Sequence, residues 1–249
     1  MTRQNILITG ASSGLGREMA RQFAAKGRNL ALCARRIENL QQLQQELQAT
    51  YPHIKVIIKS LDVNDHPQVF SVFAEFEAEL GQLDRVIVNA GMGKGASIGT
   101  GYFEANKQTA ITNFVSALAQ CEAALEIFRK QNHGHLVTIS SFSAVRGFRR
   151  ALTVYAASKA ALSSLSEGMR VDLLGTPIKV TTLHPGFIRS EINEKVKKVP
   201  FMVDTVTGCR SMVSAIEAEK ASAFVPFWPW ALMRYIFKLA PLGWLTKMS

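Results

Sequence analysis

The chain has 249 residues, 47% of them hydrophobic, with a formal net charge of +10. With no linker, internal repeat or low-complexity segment, it reads as a single domain, 1–249, large enough to bury a full core. Its basic residues fall in short groups, Arg35-Arg36, Arg149-Arg150 and Lys195 to Lys198; without a long basic run or an aromatic-interleaved motif, this argues against nucleic-acid binding.

Met1 to Gln4 passes directly into an apolar run that ends at Gly10, too short for a signal-peptide core and lacking a cleavage site, so export is not expected. Asn5 to Thr9 predicts a short buried strand, followed by Gly10-Ala11-Ser12-Ser13-Gly14-Leu15-Gly16 and an amphipathic helix from about Leu15 to Lys26. Strand, glycine-rich turn and helix together form a phosphate cradle. Glycines let the backbone approach a pyrophosphate, and unpaired N–H groups at the helix start meet its charge. The spacing is G-x-x-x-G-x-G rather than G-x-G-x-x-G, and a purely structural turn would also use glycine.

Asn29 to Ala34 predicts a second strand ending at Arg35-Arg36, then a glutamine-rich helix to about Thr50. In a dinucleotide fold the end of this strand faces the adenosine ribose, where an acidic residue would bond the 2′-hydroxyl and a basic one would pair with a 2′-phosphate. Arg35 therefore points to NADP(H). A basic group at a helix start opposes the helix dipole, which disfavours the alternative of an ordinary surface helix.

Lys55 to Ser60 predicts a third strand with Leu61-Asp62-Val63 at its end, and His66 to Leu80 an amphipathic helix. Arg85 to Asn89 is a fourth strand, closing on Asn89-Ala90-Gly91. Regular alternation of short strands and helices predicts a parallel sheet covered on both faces. After a glycine-rich loop, Gly91 to Gly101, one long helix is expected from about Phe103 to Lys130. It carries Asn113, a poor residue for mid-helix that needs either a packing bond or an active-site water as its reason.

His135 to Ser140 predicts the fifth strand, with Ser140-Ser141 at the end where open α/β sheets keep their chemistry. In the alanine-rich helical run that follows, Tyr155 and Lys159 stand four residues apart on one face. In a cleft, an ammonium beside a phenol would lower the phenol's pKa and make it a proton donor; alone, the spacing reads as a solvated surface pair. Lys179 to His184 is the sixth strand, Phe201 to Glu219 is helical, and Ala223 to Val225 is the last strand.

The tail from Pro226 to Ser249 holds all three tryptophans, and Pro229 and Pro241 bracket one short helix, too short for a membrane span. Arg234 and Lys238 share one face amid apolar and aromatic residues. The tail reads either as a cover over the substrate pocket or a neighbouring subunit, or as a helix lying in a membrane interface. Cys33, Cys121 and Cys209 lie far apart among apolar neighbours and imply a reducing compartment. The His133-Gly134-His135 pair lacks further ligands at metal spacing, so it reads as a turn before a strand, and no metal is expected.

In order, Thr9-Gly10-x-x-x-Gly14-x-Gly16, Asp62, Asn89-Ala90-Gly91, Asn113, Ser141, Tyr155-x-x-x-Lys159 and Pro185-Gly186 resemble the short-chain dehydrogenase/reductases, over the chain from the first strand to about Ser190. The resemblance implies an α/β fold: a Rossmann-type, doubly wound parallel sheet of about seven strands with helices on both faces. It implies a catalytic set of Asn113, Ser141, Tyr155 and Lys159. Tyr155 would protonate a carbonyl oxygen, Lys159 would hold the nicotinamide ribose and lower the phenol's pKa, Ser141 would bond the substrate oxygen, and Asn113 would hold a relay water. The cofactor, NADP(H), would meet Gly10, Ser12, Ser13, Gly14, Leu15, Gly16, Arg35, Arg36, Asp62, Val63, Asn89, Ala90, Gly91, Tyr155, Lys159, Pro185, Gly186, Ile188 and Ser190.

Two departures from the family pattern stand out. Ser190 replaces a common threonine, and Ser141 lies one residue further from Tyr155 than is usual. An insertion between Ser143 and Leu152 accounts for the second, with Ser143 as the alternative hydroxyl. The segment 191–222 resembles the family's mobile substrate lid. The expected activity is NADP(H)-dependent reduction of a carbonyl, or oxidation of a secondary alcohol, on a small hydrophobic substrate, lipid-like or steroid-like, in a cytoplasmic homodimer or homotetramer that is peripheral to a membrane if the tail docks there. The alternative is an NADP(H) sensor or assembly protein with little turnover.

Overall fold

The computed structural model describes residues 2–191 and 201–248. Seven strands, β1 (Asn5–Thr9), β2 (Asn29–Ala34), β3 (Val56–Ser60), β4 (Arg85–Val88), β5 (Gly134–Ile139), β6 (Ile178–Pro185) and β7 (Ser222–Val225), form one sheet in the order β3-β2-β1-β4-β5-β6-β7. Every pairing is parallel. The order reverses between β1 and β4, and the crevice outside the carboxyl ends of those strands is where such sheets bind ligands.

Alternate residues feed opposite layers. Ile6 and Ile8 of β1 pack with α1 (Gly14–Ala24), α2 (Ile37–Thr50) and α7 (Thr205–Glu217), through Met19, Phe23, Leu43, Met212 and Ile216. Leu7 points the other way, into a core shared with α3 (His66–Leu80), α5 (Ser116–Gln131) and α6 (Leu152–Asp172), through Phe73, Phe76, Phe128 and Leu162. Burial on both faces is why these strands are continuous apolar runs. The doubly wound sheet matches the expected class.

Three expectations are corrected. The single helix from Phe103 to Lys130 is α4 (Phe103–Ala110), a π turn (Ile111–Val115) and α5, with Asn113 inside the π turn. The helix expected from Phe201 begins at Thr205, because Phe201 adopts a left-handed φ of 60° and Asp204 caps the start, accepting from Thr207 N at 2.8 Å. The tail forms two helices, α8 (Phe227–Leu239), kinked at Trp228, and α9 (Leu242–Met248). Pro229 lies inside α8 rather than before it: Trp228 takes extended dihedrals, so the regular turns start at the proline, where its missing N–H costs nothing. The lysine-rich stretch containing Lys195 to Lys198 lies outside the described residues.

The N-terminal strand ends, far from the crevice, close around a buried ionic network. Arg85 is buried, donates through Nε to His135 Nδ1 at 2.9 Å and pairs with Glu217, which also meets Arg28 at 2.9 Å. His135 Nε2 therefore carries the ring proton and donates to Thr181 Oγ1 at 2.8 Å. The His133-Gly134-His135 pair thus opens β5, and its second histidine is part of the sheet.

Candidate active site

The glycine-rich turn between β1 and α1 is folded against the end of β4. Asn89 Nδ2 donates to Thr9 O at 2.9 Å, and the N–H groups of Asn89 and Ala90 both donate to Thr9 Oγ1 at 3.1 Å. A Cβ on Gly16 would lie 2.4 Å from Gly10 O and 2.6 Å from Asn89 Nδ2, so only glycine lets the helix start come this close to the turn. Ser13 at the N-cap makes no side-chain bond to the helix. Ser13 thus leaves the first-turn N–H groups of α1 without a side-chain cap, as a pyrophosphate site requires.

The two arginines at the end of β2 behave differently. Arg36 reaches back over the turn, its Nη2 donating to Ser13 Oγ at 2.5 Å and its Nε to Ser12 Oγ at 3.4 Å, and it also pairs with Glu191 at 3.1 Å. Arg35 is exposed beside it and makes no ion pair among the described residues. Asp62, just past β3, accepts from Asn64 N at 3.0 Å, and Val63 is buried next to it. Ser190 lies across from Gly14, and Ile188 is buried under α7.

Asn113 is fully buried. Its Oδ1 accepts from Met92 N at 2.8 Å and its Nδ2 donates to Met92 O at 2.9 Å, a two-way clasp that fixes the backbone just after Gly91. Its Nδ2 also lies 3.3 Å from Ser158 Oγ on α6. Both amide atoms are thus engaged by protein, which answers why an asparagine sits in mid-helix. Asn64, a residue that sequence reasoning passed over, steadies the same turn from outside: its Oδ1 accepts from Thr112 Oγ1 at 3.1 Å and Ser116 Oγ at 2.8 Å.

Ser140 binds α6 to the end of β5, its Oγ donating to Lys159 O at 2.9 Å. This contact brings Tyr155 and Lys159 to Ser141. The Tyr155 hydroxyl is hydrogen-bonded to Ser141, and Ser141 Oγ also accepts from Ser143 N at 3.1 Å. Ser141, not Ser143, is therefore the hydroxyl at the phenol. Lys159 is buried, its Nζ donating to Ile139 O at 2.8 Å and lying 5.9 Å from the centre of the Tyr155 ring.

Burial dominates the protonation of both groups. It pushes the Tyr155 phenol above its usual range, with the Ser141 bond only partly opposing, and it lowers the Lys159 ammonium to about 8. The expected lowering of the phenol's pKa rests on Lys159 together with the positive charge of an oxidised nicotinamide; among the protein's own groups burial is the larger effect on Tyr155. The ammonium sits under the ring and is itself destabilised by desolvation.

The far wall comes from β6 and the tail. Pro185 ends β6, and Gly186 lies directly against Trp230 of α8, where a Cβ would stand 2.2 Å from the indole. Trp230 packs 4.7 Å from Phe142, the residue after Ser141, and 5.4 Å from Phe187. Phe142, Trp230, Phe237 and Leu245 form a small core of their own. Arg146 fastens it, donating to the carbonyls of Phe237 at 3.0 Å and Lys238 at 2.9 Å at the end of α8. His184 stacks on Phe224 at 4.6 Å, and burial lowers its pKa to about 4, so it is neutral near pH 7.

A serine-bonded phenol over a buried lysine, placed at the carboxyl ends of a parallel sheet beside a glycine-rich helix start, defines a nucleotide-dependent oxidoreductase of Rossmann architecture. Residues 4–200 match the family model of the short chain dehydrogenases, and the chain belongs to that family. It is 53% identical over 242 residues to an uncharacterized oxidoreductase of Mycobacterium tuberculosis, covering 97% of this chain and 96% of that protein. It is 31% identical to 11-beta-hydroxysteroid dehydrogenase 1A of Arabidopsis thaliana, over 90% of this chain and 68% of that one. Among solved structures, a serine dehydrogenase complexed with NADP+ in its closed form superposes with a TM-score of 0.79 at 25% identity, over 90% of this chain and 95% of that one.

Proposed function

We propose that this oxidoreductase uses NADP(H) to reduce a carbonyl, or to oxidise a secondary alcohol, on a hydrophobic substrate of lipid-like or steroid-like character. The observation that carries the proposal is the Tyr155–Ser141 hydrogen bond above the buried Lys159. When bound, the cofactor supplies or accepts hydride; the protein supplies position, a proton and electrostatics. The Gly16 approach to Gly10 and Asn89 makes a cradle that fits a pyrophosphate. Arg35 and Arg36 offer charge for a 2′-phosphate, and the NADP+ held by the serine dehydrogenase supports that preference. Asp62, Val63, Asn89 to Gly91, Pro185, Gly186, Ile188 and Ser190 complete the proposed cofactor site.

In reduction, Tyr155 gives its phenolic proton to the substrate oxygen, and Ser141 bonds the same oxygen and offsets the charge that develops on it. A phenol held neutral by burial is in the right state to donate. Lys159 lies below to return the proton to Tyr155. Asn113 is expected to hold a relay water, but both its side-chain amide atoms are engaged by Met92 and Ser158. In this reading the side chain positions the loop after Gly91 beside Lys159, and any relay water would be met by other groups.

The apolar wall of Phe142, Phe187 and Trp230 supports a hydrophobic substrate, and the steroid dehydrogenase of Arabidopsis among the relatives agrees with that class. Within the segment 191–222, α7 packs in the core through Met212 and Ile216, so the lid in this reading is the stretch before Thr205, of which 192–200 lie outside the described residues. Exposed Phe103, Val171 and Leu174 support a homodimer or homotetramer, and the free, buried Cys33, Cys121 and Cys209 support a reducing compartment such as the cytoplasm. The test is NADPH consumption over a panel of ketones and long-chain aldehydes. Tyr155→Phe and Ser141→Ala should each lower kcat by at least about 100-fold while still binding NADPH. Full turnover in either variant overturns the assignment, and absence of turnover by the wild type on every carbonyl would favour the sensor reading.

A further inference from the structure

Helix α8 is apolar on two opposite faces. Trp230 and Phe237 point inward and are buried against Phe142, whereas Leu232, Tyr235, Ile236 and Leu239 lie half a turn away and are exposed. Leu239 is 83% exposed, and Trp228, at the kink, is 68% exposed. Leu242 and Trp244 of α9 are exposed as well. A helix that is apolar all round belongs in a buried setting. Half of that setting is missing from the single chain.

The charges decide what covers it. From Pro226 to Ser249 the chain contains Arg234, Lys238 and Lys247 and no Asp or Glu. Lys238 is exposed on the flank of the outward face, and Arg234 lies against the rings of Phe224, at 5.2 Å, and Tyr235, at 4.4 Å. A second copy meeting this face about a two-fold axis would bring the same cations together with no carboxylate of the tail to pair them. An anionic bilayer matches both parts of the pattern. Tryptophan and tyrosine favour the headgroup level, leucine and isoleucine the acyl boundary, and flanking cations the lipid phosphates. Among the described residues no helix is long and apolar enough to cross a membrane, so the contact is a surface one.

We infer that the outward face of α8, together with Leu242 and Trp244, docks the protein on an anionic lipid bilayer. Arg146 at the end of α8 and the Phe142–Trp230 contact hold the helix in place for this without a partner present. The bilayer then lies on the far side of the same helix that walls the Ser141 end of the site, about one helix diameter, roughly 10 Å, away.

The test is flotation of the full chain with vesicles of phosphatidylcholine alone or with phosphatidylglycerol added, read without any substrate so that it is independent of turnover. Wild type should float with the anionic vesicles, and more weakly in high salt. Leu232→Asp with Leu239→Asp should weaken partitioning by at least about 100-fold, with an unchanged thermal midpoint and unchanged NADPH fluorescence. Lys238→Gln, which leaves the apolar face intact, should weaken binding to anionic vesicles about fivefold and leave the weak binding to neutral ones unchanged. Wild type that stays with the unbound fraction, or a double variant that floats equally well, overturns the inference. Dissociation of a wild-type oligomer by the double variant, seen in sedimentation velocity, would assign the face to a second copy and overturn it as well.

Discussion

If Arg36 is the 2′-phosphate contact proposed above, Glu191 competes with that phosphate for it. The Nη2 of Arg36 is shared between Ser13 Oγ at 2.5 Å and Glu191 Oε2 at 3.1 Å. The Glu191 carboxyl is held below its usual range because bonds from Ser13 and Arg36 outweigh the opposing effect of burial. The pair is half exposed, at 50% and 56% of the side-chain surface, so water screens it and it is worth about 1 kcal/mol or less. Binding a 2′-phosphate on Arg36 loosens that pair and sets a second anion near it. Glu191→Gln should therefore tighten NADPH by up to about fivefold and leave NADH unchanged. Arg36→Ala removes charge-assisted bonds and should weaken NADPH by about 10- to 100-fold, again sparing NADH. Arg35→Asp, which places a carboxylate at the end of β2, should also shift preference toward NADH. Fluorescence titration of both cofactors against the four proteins measures these ratios. If Glu191→Gln tightened both cofactors equally, or neither, or if Arg36→Ala left the NADPH-to-NADH ratio unchanged, the phosphate assignment would fall.

Two further substitutions test the energetics around the site and beneath it. Burial lowers the Lys159 ammonium from 10.5 to about 8, so holding it charged near pH 7 costs the fold roughly 3 kcal/mol. Allowing about 1 kcal/mol for the Ile139 carbonyl left without a donor, Lys159→Met should be more stable than wild type by about 2 kcal/mol and inactive. Because the folded-state pKa is the lower one, wild type gains stability as pH rises from about 8 toward 10.5, and the gap between the two proteins should close over that range; a gap that widened there in chemical denaturation would refute the reasoning. At the other end of the sheet, Arg85→Met strips His135 Nδ1 of its donor and leaves Glu217 with Arg28 alone. A loss of about 3 kcal/mol is expected, with KM unchanged because the network is remote from the crevice. Urea unfolding and steady-state kinetics read the two halves of that statement.

Strand positions and the crevice were legible because they depend on local rules. Buried parallel strands are short apolar runs, and the Gly16 approach that forbids a Cβ leaves its mark as a glycine. Asn113 was legible as an anomaly in a helix, though its partners were not. Met92 and Ser158 reach it from a loop 21 residues earlier and a helix 45 residues later, and nothing in local propensity marks such pairs. The π turn follows the same rule, since Asn64 and Asn113 hold it by tertiary bonds that override an otherwise helical sequence.

The tail shows why a pattern can be read correctly and still leave two answers open. Aromatic residues crowd into 226–249, and their number alone predicts either a cover for the pocket or a contact with lipid. Periodicity separates these uses only once a partner fixes the phase. Phe142, placed after Ser141 by β5, takes Trp230 and Phe237 against it, and Gly186 makes room for the indole where any side chain would collide. That contact turns Leu232, Ile236 and Leu239 outward. The two readings then use different faces of one helix. The inner face packs on Phe142 beside Ser141, and the outer face is the one proposed to meet a bilayer, so Gly186→Ala should disturb both at once. By driving a methyl into Trp230 it would tilt α8, impairing turnover and vesicle binding together, whereas the outward Leu232 and Leu239 substitutions should touch vesicle binding alone.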